Sequence, residues 1–228
     1  MLENFKNQES KLSHEIISEI NEIKLIYEKE DHISYEDDLK LKAFFGIDGE
    51  REDIKDSQKI EENNLQETLY ANIPYSMFCL DFEHTREIGK KLNLSKDDTF
   101  YDLGSGYGQV PMFLSINSEA KFKGVELMRD RLAQAKTTTK KLGLENVSFI
   151  EGNVVDVDFS DGNIFYMFNP FSQETLQIVA DKLKEIARTK KIKVVSTGAS
   201  TGFWLDKCKD WLEPINDIGR MGLIFESK

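Results

Sequence analysis

The stretch Asp102-Leu103-Gly104-Ser105-Gly106-Tyr107-Gly108-Gln109 constrains this chain more than any other. Glycines at alternate positions follow an apolar run, Thr99–Leu103, and precede a helical segment, Gln109–Ile116. Glycine tolerates backbone angles that other residues avoid, so such a turn is tight and lets a ligand approach the main chain closely. A glycine turn between a strand and a helix is the context of a nucleotide-type loop. In open α/β sheets it lies at the carboxyl ends of the strands, where ligands bind.

The rest of the second half agrees with that placement. Short apolar runs at Lys121–Val125, Val147–Glu151, Ile164–Phe168 and Ile192–Ser196 alternate with helical stretches at Met128–Leu142 and Ser172–Arg188. Gly143 is positioned to end the first of these helices. Ile164–Phe168 is apolar throughout, as a strand buried on both faces is. Alternation of this kind predicts βαβ units and a parallel sheet with helices on both faces. Trp211–Ile215 and Gly222–Glu226 are two further strand candidates. There are no internal repeats.

The first third is different in kind. Residues 1–69 hold 19 Asp and Glu against 9 Lys and Arg, a net charge of −10, whereas residues 70–228 hold 22 against 21. Ile16, Ile20, Ile23 and Tyr27 fall on one face of a helix, with Ser10 and Ser13 as candidate N-caps. A second helix is expected over Ile33–Phe45, stopped by Gly46. Gly46–Asp56 reads as a loop, and Ile60, Leu65 and Leu69 suggest another helix. The expected division is an acidic helical extension, residues 1–69, before an α/β domain, residues 70–228. The extension is either a solvated face, or a lid or docking surface for a basic partner. Neither part is basic overall, which disfavours a nucleic-acid partner.

Ligand class follows from the loop and one distant acid. The dinucleotide fingerprint is GxGxxG, but here Gln109 stands where its third glycine would be. That argues against a nicotinamide-dependent oxidoreductase. Asp102, just before the loop, suits a cationic ligand better than a pyrophosphate. Glu126 ends the second strand, where an acid accepts hydrogen bonds from ribose hydroxyls. Ribose with a positively charged tail points to S-adenosylmethionine. The bland alternative is a glycine turn with no ligand.

Asp97–Val110 (DDTFYDLGSGYGQV) and Gly124–Leu127 (GVEL) resemble the class I, Rossmann-like methyltransferases that use S-adenosylmethionine. More narrowly they resemble the non-SET nucleosomal histone-lysine methyltransferase family and its uncharacterised bacterial relatives. Tyr70–Ser76 is similar to that family's tyrosine-led segment before the loop, and Asn169-Pro170-Phe171 to the NPF segment of the bacterial members. The likeness spans about Tyr70 to Ser196. It implies a doubly wound, mostly parallel, seven-stranded sheet with the last strand antiparallel. It also implies site roles. Tyr70 would cover the methionine end of the cofactor, and Asp102 and Gly104 would meet its amine. Ser105 and Gly106 belong to the same loop, and Gln109 would brace it. Glu126 would take the ribose hydroxyls, with Leu127 beside it. Asn153, where the family usually has Asp, would accept from the adenine amino group, and Val154 would offer its N–H to the ring.

Methyl transfer is an in-line displacement and needs a nucleophile held in line with the methyl carbon. Asn169, Pro170 and Phe171 follow a buried strand, and the carbonyls of Asn169 and Pro170 would accept N–H bonds from an amine or amide. Phe171 would pack on the acceptor, or is simply core. The acceptor is expected to be a nitrogen on a soluble protein, lysine included, or on a small molecule. A non-catalytic cofactor-binding scaffold is the remaining alternative. His14, His32 and His84 are expected at the surface or in caps. No HxxxH or CxxC pair occurs, so no metal is expected. Two cysteines, Cys79 and Cys208, and a polar start without a signal pattern suggest a cytoplasmic protein. No apolar run approaches the roughly 18 residues of a membrane helix. Phe203 and Trp204 follow a stretch expected to be flexible, Ser196–Gly202, and either line the acceptor pocket or anchor a helix.

Overall fold

The apolar runs form strands because each is too short for a helix and is flanked by turn residues. The computed structural model describes residues 2–47, 81–168 and 171–228. The loop beyond Ile47, the helix expected around Ile60, Leu65 and Leu69, and Cys79 lie outside the described residues. The strands are β1 (Thr99–Leu103), β2 (Lys121–Glu126), β3 (Val147–Glu151), β4 (Ile164–Phe168), β5 (Lys193–Thr197), β6 (Leu212–Gly219) and β7 (Gly222–Ser227). Among the described residues they make one seven-stranded sheet of order β3-β2-β1-β4-β5-β7-β6. The first five pair in parallel, and β7 lies antiparallel to both β5 and β6. This is the Rossmann-like arrangement the sequence led us to expect. The order reverses between β1 and β4, so a crevice opens at their carboxyl ends.

The helices are α1 (Leu2–Glu28), α2 (Tyr35–Phe45), α3 (Phe82–Leu92), α4 (Gln109–Ser115), α5 (Arg129–Leu142), α6 (Gln173–Ala187) and α7 (Thr201–Lys207). Strand side chains alternate between two cores. Phe100, Phe122, Phe149, Tyr166 and Val195 face one core, shared with α1 to α5. Tyr101, Val125, Phe165, Met167 and Val194 face the other, shared with α6 and α7. Edge strand β6 is exposed along most of its length and carries Pro214, so hydrophobic patterning marked only its beginning.

Several local expectations need correction. Helix α1 starts at Leu2, so Ser10 and Ser13 lie inside it rather than at its cap. Its predicted apolar face is nonetheless the packed one: Ile23 and Tyr27 are buried and Ile16 and Ile20 half-buried, and Ile26, outside that set, is buried as well. Helix α2 is capped by Ser34, whose hydroxyl accepts from the Asp37 N–H, and stops at Gly46 in the left-handed region, φ 67°. Helix α3 escaped the pattern because it buries His84, Thr85 and Arg86 along with its apolar residues. Its one legible signal is Asp81, the N-cap, which accepts from the His84 N–H at 2.8 Å. His84 is buried, not at the surface, and its Nε2 has no partner among the described residues. Burial holds the His84 imidazole below its usual range. Ser196–Gly202 is not a flexible run. It joins β5 to α7 with Ser196, Ser200 and Thr201 buried. Trp204 is fully buried in the second core, with Phe203 edge-to-face against it.

The N-terminal helices share one core of the sheet. Phe45 stacks on Phe82 at 5.6 Å, and Tyr27, Phe45 and Phe82 all pack edgewise on Phe113 of α4. Arg86 closes the end of α1: its guanidinium donates to the Ile26, Lys29 and Asp31 carbonyls. Glu83 holds that guanidinium at 2.7 Å and accepts the Ile33 N–H at 2.8 Å. Arg86→Ala removes a donor from each of those carbonyls and from the Glu83 carboxylate, which keeps the Ile33 N–H. It should cost about 2–4 kcal/mol, read from the midpoint of urea unfolding. Arg86→Lys should recover little, because an ammonium cannot reproduce the planar fork.

Candidate active site

The site is assembled where β1 and β2 end. The loop after β1 reaches its conformation only with glycine, since Gly104, Gly106 and Gly108 have φ of 96°, 54° and 77°. The Gly104 and Ser105 N–H groups both donate to the Val125 carbonyl at 2.9 Å, which lays the loop over the end of β2. Gly108 is doubly required: a Cβ there would lie 2.4 Å from Cζ of Phe149. Gly124 on β2 is similarly crowded by Phe149 and the Ser105 hydroxyl, each 2.6 Å from where its Cβ would stand. Tyr107 is buried beneath the Arg131 guanidinium, 5.8 Å from the ring centre.

Glu126 organises this loop. One carboxylate oxygen accepts the Gly106 N–H and the other the Met128 N–H, each at 2.7 Å. The sequence placed Glu126 at the site but not in this bracing role. Asp102 lies on the same face of the sheet as Glu126, and both are buried. Burial, with the like charge of Glu126 beside it, pushes the Asp102 carboxyl well above its ordinary range. Two buried acids close enough for one to raise the other's pKa favour a cation beside them. An amine-bearing, positively charged cofactor fits that donor set, and a pyrophosphate does not.

The structure brings together Asp102, Gly104, Ser105, Gly106, Gln109, Glu126 and Leu127, with Gln109 buried and Leu127 half-buried. Asn153 and Val154 follow β3 along the same edge. The Asn153 side-chain oxygen accepts the Val155 N–H at 3.2 Å, and its backbone oxygen accepts from Asp156. Lys182 of α6 fixes this turn, donating to the Val155 and Val157 carbonyls at 2.8 and 2.9 Å. Nothing local to Lys182 in the sequence signals that role. Tyr70, Asn169 and Pro170 lie outside the described residues. Phe171 is buried in the second core, as a packing residue is.

A model of the family described as "Histone methylation protein DOT1" matches residues 62–193, more than half of the chain. The chain belongs to this family. It is an S-adenosylmethionine-dependent methyltransferase. The fold is also that of precorrin-6y C5,15-methyltransferase from Geobacter metallireducens GS-15. That protein is 16% identical, with a TM-score of 0.50 over 66% of this chain and 90% of that one. It is likewise that of tRNA (m1A58) methyltransferase TrmI from Aquifex aeolicus, 14% identical, with a TM-score of 0.50 over 66% of this chain and 69% of that one. No curated protein matches the chain. No helix of the described residues is long and apolar enough to cross a membrane.

Two outcomes test the geometry. Asp102→Asn removes the buried acid. Because the folded-state pKa is raised, Asp102 favours folding at low pH and loses that contribution as pH rises through its folded value. The variant should thus melt a few degrees above the parent at neutral pH and no higher at acidic pH, while losing cofactor-induced stabilisation. A cationic amine stabilises the ionised acid, so S-adenosylmethionine should bind the parent more weakly as pH falls, with proton release seen by calorimetry in buffers of different ionisation enthalpy. Gly108→Ala combines backbone strain with the Phe149 clash and should cost about 2–4 kcal/mol in denaturant unfolding.

Proposed function

We propose that this methyltransferase acts on a nitrogen, either a lysine or another amine or amide, in a protein substrate. The observation that carries the reading is the family match, whose model is named for histone methylation and extends through the Asn169-Pro170-Phe171 segment. When bound, S-adenosylmethionine supplies an electrophilic methyl group on a sulfonium centre. Asp102 draws the cofactor's amine to the loop after β1. The Glu126 carboxylate, held by the Gly106 and Met128 N–H groups, keeps lone pairs for the ribose hydroxyls. Gln109 braces the loop, and Gly104, Ser105 and Gly106 bring the main chain to the cofactor. Leu127, Asn153 and Val154 take the adenine side, and Tyr70 covers the methionine end. Asn169 and Pro170 offer carbonyl oxygens to the N–H bonds of the acceptor, orienting its lone pair, while Phe171 supports that loop from the core. The division into an extension, residues 1–69, and a methyltransferase domain, residues 70–228, belongs to the same proposal. So does the docking of a basic partner on the extension's acidic face.

The even charge balance of residues 70–228 does not exclude a nucleic-acid acceptor. The same fold serves an enzyme named for tRNA methylation and one named for a precorrin. The protein should be incubated with S-adenosylmethionine carrying a radiolabelled methyl group and cell extract separated into protein, RNA and small molecules. Label should enter protein as methyl-lysine or another N-methyl group, and should disappear with Glu126→Ala. Label confined to RNA or to small molecules would overturn the protein assignment.

A further inference from the structure

Four hydroxyl-bearing residues cluster around the end of β5 and the start of α7: Ser196, Thr197, Ser200 and Thr201, all buried. Three of them satisfy one another. The Ser196 and Ser200 hydroxyls are 3.1 Å apart, and Thr201 donates to the Ser196 hydroxyl at 3.2 Å. Thr197 is different: it is 1% exposed, and among the described residues its Oγ1 has no hydrogen-bond partner. A buried hydroxyl without a partner is unfavourable, and a valine of the same shape would avoid that cost. Local structure therefore gives no reason for a hydroxyl here.

Its place in the sheet does. Thr197 is the last residue of β5 and pairs with Phe168, the last residue of β4. By strand alternation it presents to the same face as Val195, the face that also carries Asp102 and Glu126. Glu126 ends β2 and Asn153 follows β3, on the nucleoside side of the proposed cofactor site. The ends of β4 and β5 are left for the group that receives the methyl. A neutral amine whose lone pair points at the methyl still carries N–H bonds, and in a site without water these need acceptors.

We propose that the Thr197 hydroxyl is an acceptor-binding group of the methyl-transfer site: it takes an N–H of the incoming amine and so selects a nitrogen acceptor. This rests on the methyltransferase reading given above and adds to it the residue that recognises the acceptor nitrogen.

Two cofactor analogues separate the possibilities. S-adenosylhomocysteine fills the cofactor site alone. Sinefungin carries an amine-bearing carbon where the sulfonium methyl would be, and so projects an amine toward the acceptor. Both should be titrated calorimetrically into the parent protein, Thr197→Val and Thr197→Ser. Thr197→Val should weaken sinefungin about tenfold, the loss of one hydrogen bond to a charged amine. It should leave S-adenosylhomocysteine within about twofold and should not lower the melting temperature. Thr197→Ser, which keeps the hydroxyl, should behave like the parent. Unchanged sinefungin affinity in Thr197→Val, or equal weakening of both ligands, would overturn the proposal while leaving the cofactor site intact. A lower melting temperature would show a structural partner for the hydroxyl and would also overturn it. Failure of the parent protein to bind S-adenosylhomocysteine would strike the cofactor reading itself, and this proposal with it.

Discussion

The carboxylate of Glu126 is the joint on which the site depends. It ends β2, and each of its oxygens accepts a main-chain N–H from a different turn, Gly106 after β1 and Met128 before α5. Charge-assisted bonds of this kind are short and strong. They fix the glycine loop relative to the second strand before any ligand arrives. Asp102, one strand over on the same face, is then held near a like charge in a buried setting. Among the described residues no cation offsets that arrangement, and a cationic ligand would. The electrostatic tension and the binding preference are one property.

The scaffold around this joint is unusually aromatic. Phe113 of α4 receives Tyr27 from α1, Phe45 from α2 and Phe82 from α3. The helix that opens after the glycine loop is thus packed against the N-terminal helices. Arg86 adds a polar lock at the end of α1. The described part of the acidic first third is therefore continuous with the core through α1 and α2; Glu15, Glu19, Glu22, Glu28 and Glu36 are exposed on these helices, while Asp37 is buried.

Much of the fold could be read from the chain. The strands β1, β3 and β4 were bounded as they occur: β4 is apolar throughout, and in β1 and β3 clustered aromatic and β-branched residues stand between turn residues. Helix α3 was not legible, because it buries His84, Thr85 and Arg86, whose burial depends on partners far along the chain. Strand β6 was legible only at its start, since an edge strand has no need of apolar residues on its open side. Within the site, Asp102, the glycines and Glu126 were legible because their spacing reflects backbone geometry. Lys182 was not: its importance arises from reaching the Val155 and Val157 carbonyls, 27 and 25 residues away in the sequence. Thr197 was hidden for the opposite reason, since what marks it is a missing partner.

The sequence by itself determined the parallel sheet, the strand–glycine–helix turn and the acid at the end of β2. Periodicity and glycine placement are local properties, and these features follow from them. Only the tertiary structure decided that Glu126 braces the loop as well as ending a strand, that Asp102 is forced to share its buried face, and that α1 and α2 complete the core of the sheet. Each of these depends on which distant groups meet once the chain has folded, and that is fixed by packing and by the demand that buried polar groups find partners.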